Sequence, residues 1–107
     1  MPYSTQLWLG DLPSGAFDII YTVPANFTAV VRDMRIRNGY TTTQLSNIQV
    51  EGPGSATVVI WQEEAFPTSQ LDEWQGRVVV PAGLSLWGYS DHGSVTAVIS
   101  GYLLSDP

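Results

Sequence analysis

The sequence predicts an all-β chain folded as a single antiparallel β-sandwich, jelly-roll-like, with about eight strands. Segments rich in Val, Ile, Thr and aromatic residues alternate with period two, and Pro, Gly, Asn and Asp punctuate them at short intervals. No window sustains the 3.6-residue apolar stripe of an amphipathic helix.

Taken in order, the candidate strands are Thr5–Leu9, Phe17–Val23, Phe27–Arg37, Leu45–Glu51, Ala56–Gln62, Trp74–Val80, Leu84–Tyr89 and Val95–Leu104. Pro24 and Pro81 each end an apolar run and preset φ for a reversal, while Asn26 and Gly83 supply residues that tolerate positive φ. The same pattern therefore occurs twice, as Val23-Pro24-Ala25-Asn26-Phe27 and Val80-Pro81-Ala82-Gly83-Leu84. Asn38-Gly39 reads as a hairpin dipeptide, and Gly52-Pro53-Gly54-Ser55 and Asp91-His92-Gly93-Ser94 read as hairpin loops. Glu63–Glu73 is the least strand-like stretch and is expected to be an exposed acidic connection, with room for one helical turn.

Facing follows from parity. In Phe27–Arg37 the even positions Val30, Met34 and Ile36 are expected in the core, with Asp33, Arg35 and Arg37 on the opposite face. Ala56–Gln62 and Val95–Leu104 are apolar on both parities, which predicts cover on both sides and hence self-association.

A length of 107 residues and a 44% apolar fraction suit one domain, 1–107, with a single core. Ten carboxylates against four arginines, with no lysine, give a net charge of −6 that disfavours nucleic acid and anionic membrane surfaces. There is no cysteine, which excludes thiolate catalysis, Cys-ligated zinc and disulfides. No stretch approaches the ~20 apolar residues of a transmembrane helix. The N-terminus lacks a basic region leading into an apolar one, so a mature, soluble chain is expected.

Each catalytic arrangement lacks a part. His92 is the single histidine and sits in a glycine-flanked turn beside Asp91, Ser90 and Ser94, so it reads as a turn residue rather than a triad member. Glu63-Glu64 and Asp72-Glu73 are sequence neighbours that point to opposite faces of a strand, and no calcium-loop spacing surrounds them. No metal, cofactor or catalytic residue is assigned, and no enzymatic activity is expected. Asn26-Phe27-Thr28 fits a glycosylation sequon but reads more simply as a turn entering a strand.

Binding chemistry is better represented. Arg32, Arg35 and Arg37 crowd one strand, where they either answer carboxylates across the sheet or reach those of a neighbouring subunit. With Trp61 and Tyr102, on strands apolar on both faces, they form the candidate subunit interface. Four tryptophans are a heavy load for this length, and in a sandwich their default place is the core or an interface. Trp87, Tyr89 and Asp91 form the alternative site, a glycan-stacking platform of the kind found in carbohydrate-binding modules.

The order of Tyr21-Thr22-Val23-Pro24-Ala25, Thr28–Ile36 with Asn38, Trp74-Gln75-Gly76-Arg77-Val78-Val79-Val80-Pro81-Ala82-Gly83-Leu84-Ser85-Leu86 and Val98-Ile99-Ser100-Gly101-Tyr102-Leu103-Leu104 resembles small virion proteins of tailed bacteriophages. The resemblance runs from about residue 17 to the C-terminus and rests on turn and core motifs. It implies a β-sandwich structural protein of the virion, either a capsid decoration protein or a minor tail protein. The implied partners are other virion proteins and further copies of the chain, with a trimer favoured.

Overall fold

The computed structural model describes residues 5–51 and 58–106, excepting the side chains of residues 64 and 65. The expected Gly52–Ser55 loop, and the start of the strand placed at Ala56, lie outside these residues. The described chain forms eight strands and no helix: β1 (Thr5–Asp11), β2 (Asp18–Thr22), β3 (Phe27–Asn38), β4 (Gln44–Val50), β5 (Val58–Phe66), β6 (Leu71–Val80), β7 (Ser85–Ser90) and β8 (Val95–Ser105).

Their pairing has a simple logic. β1 pairs with β8, β2 with β7, β3 with β6 and β4 with β5, all antiparallel, as though the chain were one long hairpin folded at the β4–β5 junction. Rolling that hairpin brings β8 beside β3 and β7 beside β4. The result is two four-stranded sheets, β1-β8-β3-β6 and β2-β7-β4-β5, in jelly-roll order. Every connection except β4–β5 therefore passes from one sheet to the other.

That crossing overturns two turn assignments. Asn38-Gly39 and Asp91–Ser94 join strands of different sheets, so neither makes a hairpin. Asn38 is instead fully buried and serves as a cross-brace between loops. Its Nδ2 donates to the Phe66 and Thr42 carbonyls at 2.8 and 3.1 Å, and its Oδ1 accepts from Gln44 Nε2 at 2.8 Å and the Tyr40 amide at 2.9 Å. Gln44 continues the network, donating to the Gly93 carbonyl and accepting from the His92 amide, each at 3.0 Å.

The proline corners hold as expected. Phe27 N–H donates to the Pro24 carbonyl and Leu84 N–H to the Pro81 carbonyl, with Asn26 and Gly83 at φ 68° and 83°. A third copy, Pro67-Thr68-Ser69-Gln70, closes the same way with Ser69 at φ 62°. It replaces the long acidic connection expected over Glu63–Glu73: β5 runs on to Phe66 and β6 begins at Leu71. The carboxylates mislead because β5 and β6 are edge strands, where charged side chains are tolerated and discourage further pairing.

Between the sheets lie Met34, Ile36, Ile48, Phe66, Leu86, Ile99 and their smaller neighbours, all essentially sealed from water. Trp8 and Trp74 close the flanks. Each lies over a glycine two residues on, and a Cβ added at Gly10 or Gly76 would come within 3 Å of the ring. Trp8-Leu9-Gly10 and Trp74-Gln75-Gly76 occupy the two edge strands of one sheet, so lost pleat packing is replaced by an indole covering the backbone.

Candidate surface for subunit contact

The outer face of the β1-β8-β3-β6 sheet carries the chain's unusual chemistry. All four arginines lie on β3 and β6, together with Asp33, Asp72 and Glu73, while the other strands and loops hold the remaining seven carboxylates and no arginine or lysine. The strand pairing explains how the cations come together. Arg35 stands opposite Glu73, with Nε and Oε1 3.6 Å apart, so the cross-strand reading holds for this residue. Both side chains are more than half exposed, which limits the pair to a weak, salt-screened contribution.

A bulge sets the rest. Against β8, β3 carries Arg32 as an extra residue between Val31 and Asp33, and against the same stretch β6 carries an extra residue at Gly76 or Arg77. The bulge reverses parity along β3. Met34 and Ile36 face the core as expected, but upstream it is Ala29 and Val31 that do so. Val30 is placed outward, opposite Tyr102 and Val79, and is buried there without joining the core. Parity counted in one sweep from Val30 to Ile36 fails for that reason.

The paired bulges open a depression of about 660 Å³ lined by Arg32, Asp33, Gln75, Gly76 and Arg77. A second, of about 380 Å³, lies on the far side of Asp33 between Arg35, Val98, Ser100, Thr5 and Gln6. Together they make a shallow polar trough across the sheet. Arg32, Arg37 and Arg77 form no ion pair among the described residues. Around the trough stand Leu9, Leu71, Val79 and Leu104, four of the seven exposed large apolar side chains among the described residues. Their register partners Val98, Arg37, Val30 and Thr28 place all four on this outer face.

The candidate interface residues therefore separate. Arg32 and Arg35 border the trough, Arg37 lies further along the same face beside Leu71, and Tyr102 covers Val30 there. Trp61 does not join them: it is 9% exposed, packed edge-on against Phe66 with centroids 5.3 Å apart, and belongs to the core. A bulge at Ile60 turns both Ile60 and Trp61 out of solvent and leaves Val58 and Val59 exposed, so β5 is not covered on both sides within one chain.

The alternative site occupies the other sheet. Trp87 and Tyr89 alternate with the buried residues of β7 and so point outward, each half-buried, opposite Gln49 and Asn47 of β4. Phe17 stacks on Tyr89 with centroids 5.0 Å apart. The Tyr89 hydroxyl donates to Asp91 Oδ1 at 3.0 Å, and the Leu45 amide donates to Asp91 Oδ2 at the same distance. The tyrosine pKa is raised by its bond to Asp91, and the Asp91 carboxyl is held below its ordinary range by the Leu45 amide. Both carboxylate oxygens are thus already engaged. His92 stacks on Tyr40 with centroids 5.0 Å apart in a neighbouring loop, away from any nucleophile–base contact among the described residues.

Missing from the sequence reading were the Arg32 bulge, the Asn38–Gln44 brace and the partnership of Arg77 with the β3 arginines. The Trp-x-Gly spacing marks the edge strands and was available as a signal; the bulges leave no comparable trace. Among the described residues no three metal-ligating side chains cluster. Compared with known proteins, the chain matches no family model, no curated protein and no solved structure.

Proposed function

We propose that this chain is a non-enzymatic structural component of a tailed-bacteriophage virion, decorating the capsid or forming part of the tail. Its function in this reading is area burial through the outer face of the β1-β8-β3-β6 sheet. The observation that carries it is the coincidence, on one sheet face, of every arginine with four exposed large apolar side chains. Interfaces favour arginine and desolvated apolar area, and a face of that make-up is a liability when left bare.

The edges support a face contact over strand addition. β1, β2, β5 and β6 are the four edge strands, and each carries an extra residue against its neighbour. Bulges at edges interrupt the ladder that a new strand would need. The fold itself is neutral, since jelly rolls serve both capsids and lectins. The bacteriophage assignment draws on the sequence resemblance, and the homo-oligomer, with a trimer favoured, on the exposed apolar area.

Size-exclusion chromatography with light scattering, followed by co-sedimentation with heads and tails of the encoding phage, tests this reading. Self-association or particle binding is expected. A chain that stays monomeric and binds neither particle would overturn it.

A second reading, a carbohydrate-binding sandwich, is favoured by the outward placement of Trp87 and Tyr89 beside the amides of Gln49 and Asn47. It predicts a glycan-dependent change in tryptophan fluorescence that is lost in Trp87→Ala. A spectrum unmoved across a glycan array removes it.

A further inference from the structure

The geometry of the trough points to a carboxylate-binding site, in which Arg32 and Arg77 clamp one Asp or Glu side chain of an extended partner-protein segment laid across the strands. This rests on the outer-face contact proposed above and adds the chemistry of the partner.

The strand register brings the two cations together. Between the pairs Val31–Val78 and Asp33–Gln75, β3 carries Arg32 while β6 carries Gly76 and Arg77. Two guanidinium-bearing residues thus occupy the same step of neighbouring strands, ~4.8 Å apart. Trp74, packed on the core, lies against Gly76 and holds the backbone that presents Arg77. Neither Arg32 nor Arg77 has a carboxylate within ion-pair distance among the described residues, whereas Arg35 has Glu73. Guanidinium groups meet a carboxylate with paired, charge-assisted hydrogen bonds, which a lysine ammonium does not reproduce.

Charge fixes how many anions the site takes. With Arg35 answered by Glu73, Arg32 and Arg77 against Asp33 leave the larger depression one positive charge in excess. One carboxylate neutralises it. A second negative charge would meet Asp33 within a chain of net charge −6. A nucleic acid brings such charges in series, one per nucleotide, so a single protein carboxylate fits where a polyanion does not.

Shape fixes the extent. The depression of about 660 Å³ is roomier than one inorganic anion needs, and beyond Asp33 the trough runs on into the 380 Å³ depression beside Ser100, Thr5 and Gln6. From β6 to β1 the face crosses three strand spacings, roughly 14 Å, which is the reach of about four extended residues. Asp33 stands half-buried between the two depressions, placed to accept from a backbone amide of the segment.

The test titrates the isotope-labelled full chain with acetyl-Gly-Glu-Gly-Gly-amide at low ionic strength and follows backbone amide and arginine Nε resonances by NMR. Saturable shifts are expected at Gly76, Arg77 and the Arg32 side chain, and none with the glutamine version of the peptide. Arg32→Gln with Arg77→Gln should weaken binding by about tenfold or more. Arg37→Gln, exposed on the same face outside the trough, should leave it unchanged. Asp33→Asn should raise affinity for a peptide with two adjacent glutamates. The same spectra report whether each variant keeps the native fold. An absence of saturable shifts in the wild type, shifts that persist in the double arginine variant, or tighter binding of a short oligothymidylate at the same resonances overturns the carboxylate site. If the wild type then still self-associates or binds phage particles, only this inference falls. If it does neither, the outer-face reading falls with it.

Discussion

Gln44 Nε2 donates to Asn38 Oδ1 at 2.8 Å inside a region closed to water, and through that bond the β3–β4 loop, the end of β5 and the β7–β8 loop become one unit. Asn38 fills its side-chain capacity of two donors and two acceptors. Its backbone adds two more bonds, donating to the Gln70 carbonyl and accepting from the Ser69 amide. Asn38→Asp keeps the size but cannot donate to Phe66 and Thr42. It is expected to cost about 3 kcal/mol in chemical denaturation. A loss below about 1 kcal/mol would show that water or loop movement replaces the brace.

Gly101, within β8, faces the same kind of constraint with no side chain to bond. A Cβ there would land on the Val30 carbonyl oxygen, because the Arg32 bulge pushes the β3 backbone toward β8. Backbone cannot rotate away as a side chain can. Gly101→Ala should therefore destabilise by at least about 2 kcal/mol, whereas Gly15→Ala, at φ 82° with no atom nearby, should cost only about 1 kcal/mol. Equal melting temperatures for the two variants would contradict the close approach.

Much of this architecture was legible in the residues, and the failures share a cause. Alternation located all eight strands, and proline followed by Asn or Gly located two corners, because both signals are local. Where the chain crosses between sheets, local signals mislead: Asn38-Gly39 has hairpin chemistry but joins strands in different layers. Bulges mislead in the same way. One extra residue at Arg32 turned Val30 outward, and another at Ile60 sent Trp61 into the core. The arginine face needed pairing as well as pattern, since Arg77 reaches it from a strand some forty residues away in sequence. The Arg35–Glu73 pair was anticipated as a type of contact, and the register named the partner.

Arg35→Ala separates folding from assembly. The Arg35–Glu73 pair is solvent-exposed, so its loss should change unfolding free energy by less than about 1 kcal/mol. If the face is an interface, the same change weakens self-association or particle binding measurably. Stability falling while association holds would assign Arg35 to the fold.

The Tyr89–Asp91 pair predicts a two-sided pH dependence. Asp91 titrates below its ordinary value when folded, so its contribution is present above the unfolded carboxylate range and is lost as pH falls through the folded value. Tyr89 titrates above its ordinary value, so its contribution is complete below the unfolded tyrosine range and is lost as pH rises through the folded value. Asp91→Asn should abolish the acid component and return Tyr89 toward its ordinary titration, read by ultraviolet absorbance. An unchanged tyrosine titration would break the link between the two groups.

Matched charge insertions read most directly which surface of the sandwich meets a neighbour. Val79→Asp on the arginine face and Ala82→Asp in the β6–β7 corner, off that face, remove no core contact, and both native residues are exposed. Sedimentation velocity across a concentration series should show Val79→Asp shifted strongly toward monomer and Ala82→Asp close to wild type. Equal association in the wild type and Val79→Asp would contradict a docking face centred on the arginine trough.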